Sequence, residues 1–590
     1  MLDPRIYRAA LIPALLAFIL VAFSLEDRPR PVGTTLAPIA FDGDRAWQEL
    51  QGRDGLAARY PDRRPGSPDD EALATHVSDS LRRLGFDVRS ETRSQVTPDG
   101  KRDLRTVIAE RTGSLDGRLL VVAPRDAAAP GSVASLSATE GLLELARVFG
   151  APRRTQRTLT IVSTSGSAGT TSTRDIASVL GGQPVEAAIV LGDLASRSTR
   201  RPFVAGWSDD LGMAPLRLQR TVQESLRAEL GGDPGGPRAL VQWMRFAAPG
   251  SLTEQGPLND DGIPAVLISA TGERGPSPGA RVSQARLQSF GSGVLRAMTA
   301  LDNGPQMSPV APAELVVHRK VVPSWAIRIF IGALLFAPLV AMIDALARLR
   351  RRHESITPWL RWIAAGALPL IAAAVFARLL GIVGLVEAPP GPASPEAFPP
   401  QAAGLIAVVL VAALAWLVGR PIALRALQGD GGNPGDAAAA CAVLLVLCVV
   451  AALIWVGNPY AAALLVPALH LWLFSLLPEL RPRRGIGLLL VAAGLVPFAI
   501  LLAVLGAAFG LGLIDTAWFG LLVVAGGHAS PLSWVLWSIV ASCVAGAVTI
   551  AWRGRARVEP PGGPGQITVR GPVTYAGPGS LGGVESSLRR

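Results

Sequence analysis

Lysine occurs only at Lys101 and Lys320 in 590 residues, cysteine three times and histidine five times. The formal charge of +11 is therefore almost wholly arginine, a coding bias rather than a design for nucleic acid, and no nucleic-acid partner is expected. The cysteines, Cys441, Cys448 and Cys543, all fall in apolar runs, and the long polar stretch from about residue 26 to 320 has none. That stretch has neither a disulfide framework nor a cysteine nucleophile. Its histidines are His76 and, at its very end, His318. A site needing several imidazoles has almost nothing to draw on.

Apolar residues are abundant. They make up 49% of the chain, with a mean hydropathy of +0.37, and they sit at the two ends of the polar stretch. The first run, "AALIPALLAFILVAFSL" at 9–25, follows Arg5 and Arg8 and reads as an uncleaved anchor. Further spans are expected near 325–347, 358–384, 402–419, 437–457, 460–478, 485–511 and 531–552, each near the ~20 residues that cross the hydrocarbon. Arginine-rich connections ("RLRRRH", "RPIALR", "RPRR", "RGRAR") fall at alternate ends, and the intervening ones, including "EAPPGPASPEAFPP" at 387–400, carry no Arg or Lys. The positive-inside rule then puts both termini in the cytoplasm and residues 26–320 outside, in a multi-pass protein of the cell membrane. The expected organisation is an anchor (1–25), an extracytoplasmic domain (26–320), a seven-helix membrane domain (321–552) and a disordered Gly/Pro-rich tail (553–590).

The polar stretch alternates helix and strand. "GSPDDEALATHVSDSLRRLGFDV" is a punctuated helix: Ser67 caps, Pro68, Asp69 and Asp70 suit the first turn, and Leu73, Val77, Leu81 and Leu84 form a stripe. "SATEGLLELARVFG" is another, with Ser137 and Glu140 at capping-box spacing. Strands are expected at 119–123, 187–191 and 264–269, and in "RTLTIVSTSGSAGTTST" from Arg157. The pattern predicts an α/β domain with a mixed, mostly parallel sheet covered by helices on both faces, joined to an all-α multi-span domain. The loop after the Arg157 strand has no carboxylate, imidazole or thiol from Ser163 to Thr173, although the C-terminal ends of such strands are where ligands bind.

Six fragments, in order, resemble the M28 family of zinc aminopeptidases. "RRPGSPDDEALATHVSDSLRRLGFDV" resembles its opening helix, and "LLVVAPRD" its strand ending in His-x-Asp. "LLELARVF" resembles the helix after its Asp-Asp loop, and "LTIVSTSGSAG" the strand before its Glu-Glu pair. "IVLGDL" resembles the strand ending in a metal-binding Asp, and "EQGPLNDDGIPAVLI" the segment that begins with its last His-bearing loop. The resemblance implies an M28-like fold and a two-zinc site. Carried over residue by residue, it also implies a dismantled one. Pro124 stands for the first His, Val133 or Ala134 for the bridging Asp, Ser167 and Ala168 for the Glu pair, and Gln255 for the last His. Asp193 keeps a ligand position, and Asp126 the place of an Asp that would support the missing His. Zinc needs three or four N, S or carboxylate donors, so no cofactor is expected. The order of anchor, M28-like domain and multi-span block is also similar to the attachment subunit of the GPI transamidase.

Other chemistries find little support in the sequence. Serines in the loop lack a base, Lys101 lies in the loop "PDGKRD", and His76 reads as half-buried and structural. Glu254, Asp209, Asp210, Asp260 and Asp261 could form a displaced cation site but read as solvated loop charges. Within the spans, His470 and Arg378 are the polar candidates, and Gly506 and Gly510 read as close helix packing. The expectation is a pseudopeptidase in a membrane complex that binds a peptide, a lipid-linked molecule or a protein partner, with membrane lipid around it. A hydrolase with a relocated metal site and a transporter with an accessory ectodomain remain open. The expected topology predicts that a cysteine replacing Lys101 reacts with an impermeant maleimide on intact cells, whereas one replacing Ser587 reacts only after permeabilisation. The reverse pattern would invert the assignment.

Overall fold

The computed structural model describes residues 4–33, 40–150, 155–168, 176, 180, 184–427, 436–477 and 482–553. The tail beyond 553, and most of the loop from Ala168 to Val185, lie outside these residues. The globular part is built on a seven-stranded mixed sheet. We number its strands β1 (Asp87–Thr97), β2 (Gly100–Arg111), β3 (Arg118–Pro124), β4 (Thr158–Thr164), β5 (Val185–Leu191), β6 (Val204–Ala205) and β7 (Ala265–Ile268). Their order is β1-β2-β4-β3-β5-β7-β6. The four central strands, β4, β3, β5 and β7, run parallel, with Val122 opposite Val162 and Val190. Antiparallel neighbours close both edges.

The central strands are apolar at nearly every position because both faces are covered. Leu119, Val121 and Ala123 face one core with residues of the helices Pro68–Arg83, Val133–Gly150 and Gln284–Asn303. Leu120 and Val122 face the other with Leu258 and Ile263. The edge hairpin β1–β2 differs from the expected loop at "PDGKRD". Lys101 is in β2, opposite Val96, and only the tip around Gly100, at φ +91°, turns. Most β1 side chains are exposed, so no apolar alternation marks the strand.

Ser67 caps the helix Pro68–Arg83, accepting from the Asp70 N–H at 3.2 Å. The second expected cap is displaced. That helix begins at Val133, which puts Ser137 and Glu140 inside it. Ser137 Oγ instead donates to the Ala134 carbonyl and accepts from the Leu194 N–H at 2.9 Å, tying the helix to the end of β5. Glu140 is buried within 3.5 Å of Arg147, and burial drives its carboxyl well above the usual range.

Asp70 does more than complement a helix dipole. It pairs with Arg125 at 2.9 Å, with side-chain exposures of 2% and 0%. Asp70 Oδ2 also accepts from Ser165 Oγ at 2.6 Å and from the Gly66 N–H at 3.0 Å. The Arg125 guanidinium donates to the carbonyls of Ser163, Asp70 and Arg105. Beside it the buried Arg63 donates to the carbonyls of Tyr60, Arg125 and Ser132. Two arginines thus hold the ends of β3 and β4 and the helix Pro68–Arg83 in one arrangement.

Among the described residues, the rest of the chain supplies seven helices long and apolar enough to cross a membrane: Arg5–Phe23, Ser324–Arg351, Thr357–Val383, Ala402–Ala426, Ala437–Gly457, Pro459–Leu476 and Pro531–Arg553. The expected span 485–511 is broken into Arg484–Gly494 and Val496–Phe509, bent by 43°. The connection around Asp515 is itself an apolar helix, Leu513–Gly526. At 14 residues it is shorter than the ~20 that cross the hydrocarbon. The globular part is docked on this bundle. Phe246 and Tyr460 stack with ring centroids 5.0 Å apart, the Tyr460 hydroxyl donates to Ala313 O at 2.7 Å, and Asn458 donates to Phe246 O at 2.8 Å. A small sheet of Glu26–Asp27, Lys320–Val322 and Leu315–Val317 joins the two connections to the helices.

Removing one partner of a buried ion pair costs roughly 3–5 kcal/mol, because the other charge stays buried. Asp70→Ala in the full chain is therefore expected to lose protease resistance in the globular part at markedly lower temperature. Asp70→Ala with Arg125→Met should recover part of that loss, and equal sensitivity of the single and double variants would count against the pair.

Candidate functional site

The parallel strands end at a cavity of about 460 Å³. Pro124, at the end of β3, and Leu191, at the end of β5, border it with Ser269, just past β7. Of the positions singled out in the sequence, Pro124, Asp126, Ser167, Ala168 and Asp193 line it. The fold thus brings together five residues spread over some 70 positions of chain, at the place where α/β sheets bind ligands.

Two singled-out positions do not line the cavity. Ala134 lies in the first turn of its helix, 1% exposed and turned into the core, and its neighbours Ser132 and Ser135 line the cavity instead. Gln255 is fully buried: its amide donates to Ser251 Oγ at 2.7 Å and accepts from Thr253 Oγ1. Ser251 in turn donates to Glu273 at 2.9 Å, and Glu273 pairs with Arg245 at 2.9 Å. The sequence reading missed this network, because Arg245 and Glu273 lie 28 residues apart with no motif between them.

The two remaining Asp residues are already engaged. Asp193, 2% exposed, accepts from the N–H groups of Ala195 and Ser196 at 3.0 and 2.9 Å through Oδ1, and from Thr271 Oγ1 at 3.2 Å through Oδ2. Burial still pushes its carboxyl up. Asp126 accepts from the Ser167 N–H at 3.1 Å and from Ser167 Oγ at 2.9 Å. Its pKa is raised to about 6, first by burial and then by the nearby Asp70 carboxylate, against the hydrogen bonds from Ser167. Asp126 therefore holds the start of the carboxylate-free loop in place.

The acidic residues read as solvated charges are partly different in kind. Asp210, Asp260 and Asp261 are exposed. Glu254 is buried, lines the cavity and accepts from the Thr164 hydroxyl. Asp209 accepts from the Ser251 N–H at 2.9 Å. Among the described residues no three His, Cys, Asp or Glu side chains are grouped as a metal ion requires. His76 is half-buried, its ring 6.1 Å from that of Tyr60.

One wall of the cavity comes from the helical part. Ser394, Glu396 and Ala397 line it, all from the Pro-rich connection between the helices Thr357–Val383 and Ala402–Leu414. Glu396 pairs with Arg274 at 2.7 Å. Phe398 is fully buried, and its carbonyl accepts from Trp518 Nε1 at 2.7 Å. Ala168 packs against the same Phe398 and Trp518 cluster. The only signal in the sequence was the absence of charge in that connection apart from Glu387 and Glu396.

The intramembrane candidates sit elsewhere. His470 Nδ1 meets the Tyr7 hydroxyl of the N-terminal helix, and Nε2 lies 3.1 Å from the Leu334 carbonyl. These contacts bind three helices together. Arg378 donates to the Ala525 carbonyl, at the C-terminal end of the helix Leu513–Gly526, where a cation is favoured.

No protein-family model and no curated protein sequence matches the chain. Solved structures do. The zinc aminopeptidase BSAP of Bacillus subtilis matches at 12% identity over 44% of this chain and 94% of its own, with TM-score 0.36. The glutaminyl cyclase of Porphyromonas gingivalis matches at 18% identity over 44% of this chain and 98% of its own, with TM-score 0.31. LapB of Legionella pneumophila matches at 14% identity over 48% and 79%, with TM-score 0.36.

The raised Asp126 carboxyl has a pH consequence. Its folded pKa of about 6 stands above the usual 3.8. The unfolded chain releases this proton first, so stability falls as pH rises through that window. Asp126→Asn should remove this loss. Relative to wild type, its melting temperature should rise by a few degrees between about pH 4 and pH 7, and a constant difference across that range would refute the assignment.

Proposed function

We propose that this is a membrane-embedded protein with a peptidase-like globular part that binds a ligand in its cavity without metal-dependent hydrolysis. The observation that carries the reading is the donor set. Pro124 offers no lone pair on its side chain. Gln255 spends its amide on Ser251 and Thr253, Asp193 is taken by hydrogen bonds from its own turn, and Asp126 by those from Ser167 in the loop after β4. Zinc held by three or four N, S or carboxylate donors does not fit these residues, and water activation by a bound metal then has no place here. What remains is an enclosed surface of alanines, prolines and serines with a few fixed carboxylates, the composition of a recognition cavity.

Because Ser394, Glu396 and Ala397 form a wall, the ligand would touch both parts of the chain. A peptide, a lipid-linked head group or a segment of a partner protein fits that placement, with the globular part outside the membrane and both termini inside. The similarity of layout to the attachment subunit of the GPI transamidase agrees with a role in a membrane complex, and it rests on arrangement alone.

Metal analysis of the full chain purified in detergent tests the reading. Zinc well below one equivalent, and no chelator-sensitive release from aminoacyl-p-nitroanilides, are expected. Stoichiometric zinc with such hydrolysis would sink it. Ala168→Trp, which fills the cavity, should remove cellular function.

A further inference from the structure

The broken span leaves a second depression that the cavity reading does not use. After the bend, Val496–Phe509 runs to Gly510, which caps it in the left-handed region at φ +70°, and the next helix, Leu513–Gly526, starts three residues later. The expected close packing of Gly506 and Gly510 is not what these glycines do. A Cβ on Gly510 would overlap the Arg274 guanidinium, while Gly506 floors an open groove of about 590 Å³. Leu502, Ala503, Ala507, Leu511 and Leu513 share that floor.

The groove has one charged group, Arg200 of the globular part. Its backbone is fixed by a 2.7 Å hydrogen bond from its N–H to the Ala270 carbonyl. Its side chain is exposed, and among the described residues no carboxylate pairs with it. The groove's hydroxyl, that of Thr516, donates to Gly512 O at 2.7 Å. Leu513 is 91%, Ile514 67% and Leu502 55% exposed. Such side chains at the end of a membrane helix belong against hydrocarbon rather than water.

We propose that this groove is a site for an anionic phospholipid, an acyl chain lying along Leu502, Gly506 and Ala507 and the head-group phosphate on the Arg200 guanidinium. An apolar floor beside a cation that no carboxylate of the described residues pairs, at the end of the helix Val496–Phe509, is complementary to that amphiphile. A peptide strand would need backbone partners, which the floor does not offer. A neutral sterol would leave the guanidinium without a counter-charge. Arg274 packs on Gly510 beside this groove and also lines the cavity, where it pairs with Glu396, so the lipid would share a wall with the site above it.

The test uses the full chain in phosphatidylcholine nanodiscs doped with photoactivatable phosphatidylglycerol or photoactivatable phosphatidylcholine. Phosphatidylglycerol should label the segment 496–516 preferentially. Arg200→Gln should lower that labelling roughly fivefold, the effect of one basic residue at a membrane surface, and bring the two lipids level. Ala507→Trp should remove labelling of the segment by both, with Ala503→Leu as a milder filler should the first misfold. Equal labelling by the two lipids in wild type, or labelling unchanged by Arg200→Gln, would overturn the head-group contact. Labelling unchanged by either filler would overturn the groove.

Discussion

The globular part depends on a buried charge pair that the chain has little room to alter. Arg125 and Asp70 lie at the meeting point of the helix Pro68–Arg83, the ends of β3 and β4, and the middle of β2. A guanidinium out of water is tolerable only when nearly all its N–H groups find acceptors in fixed positions. Here the acceptors are mostly main-chain carbonyls, so satisfying the charge fixes the path of the backbone. The loop that opens the cavity, from Asp126 to Ser132, inherits its position from this pair and from Arg63.

The same logic explains why the cavity's carboxylates are quiet. In a metal site, carboxylates gather so that a dication neutralises them. Here Asp193 turns back onto the N–H groups of its own turn, and Asp126 onto Ser167. Glu273, near the cavity mouth, is neutralised by Arg245, which also lies 4.6 Å from the Phe509 ring of the helical part. Asp126 and Asp193 are held by hydrogen bonds rather than by a paired cation, and burial keeps both carboxyls raised.

The fold was largely legible where burial writes itself into the sequence. The central strands are apolar throughout because both faces are covered, and the helix after Ser67 carries its cap and stripe openly. The residues around the cavity were legible through family resemblance and strand ends: Pro124, Asp126, Ser167, Ala168 and Asp193 do meet. What was not legible lacks a local signature. The hairpin β1–β2 is mostly solvent-facing, so its pattern is polar. Ser137 and Glu140 imitate a cap while sitting a turn inside the helix. Ala134 and Gln255 are each displaced from the cavity by a neighbour, since a helical register error of one residue turns a side chain by about 100°. Partnerships such as Arg245 with Glu273, or Glu396 with Arg274, join distant stretches, and nothing in either stretch announces the other.

The small sheet beneath the globular part has one more implication. Glu26 stands opposite Val321, so the chain leaves the helices and returns to them at a single spot, after an excursion of nearly three hundred residues. Topologically the globular part is an inserted module whose ends already touch. Its surface tells the opposite story, since Met244, Phe246 and Ala313 are buried in the same apolar cluster as the helices. A module separable by connectivity is thus not separable by surface, and cutting it out at residues 26 and 321 would expose this apolar face.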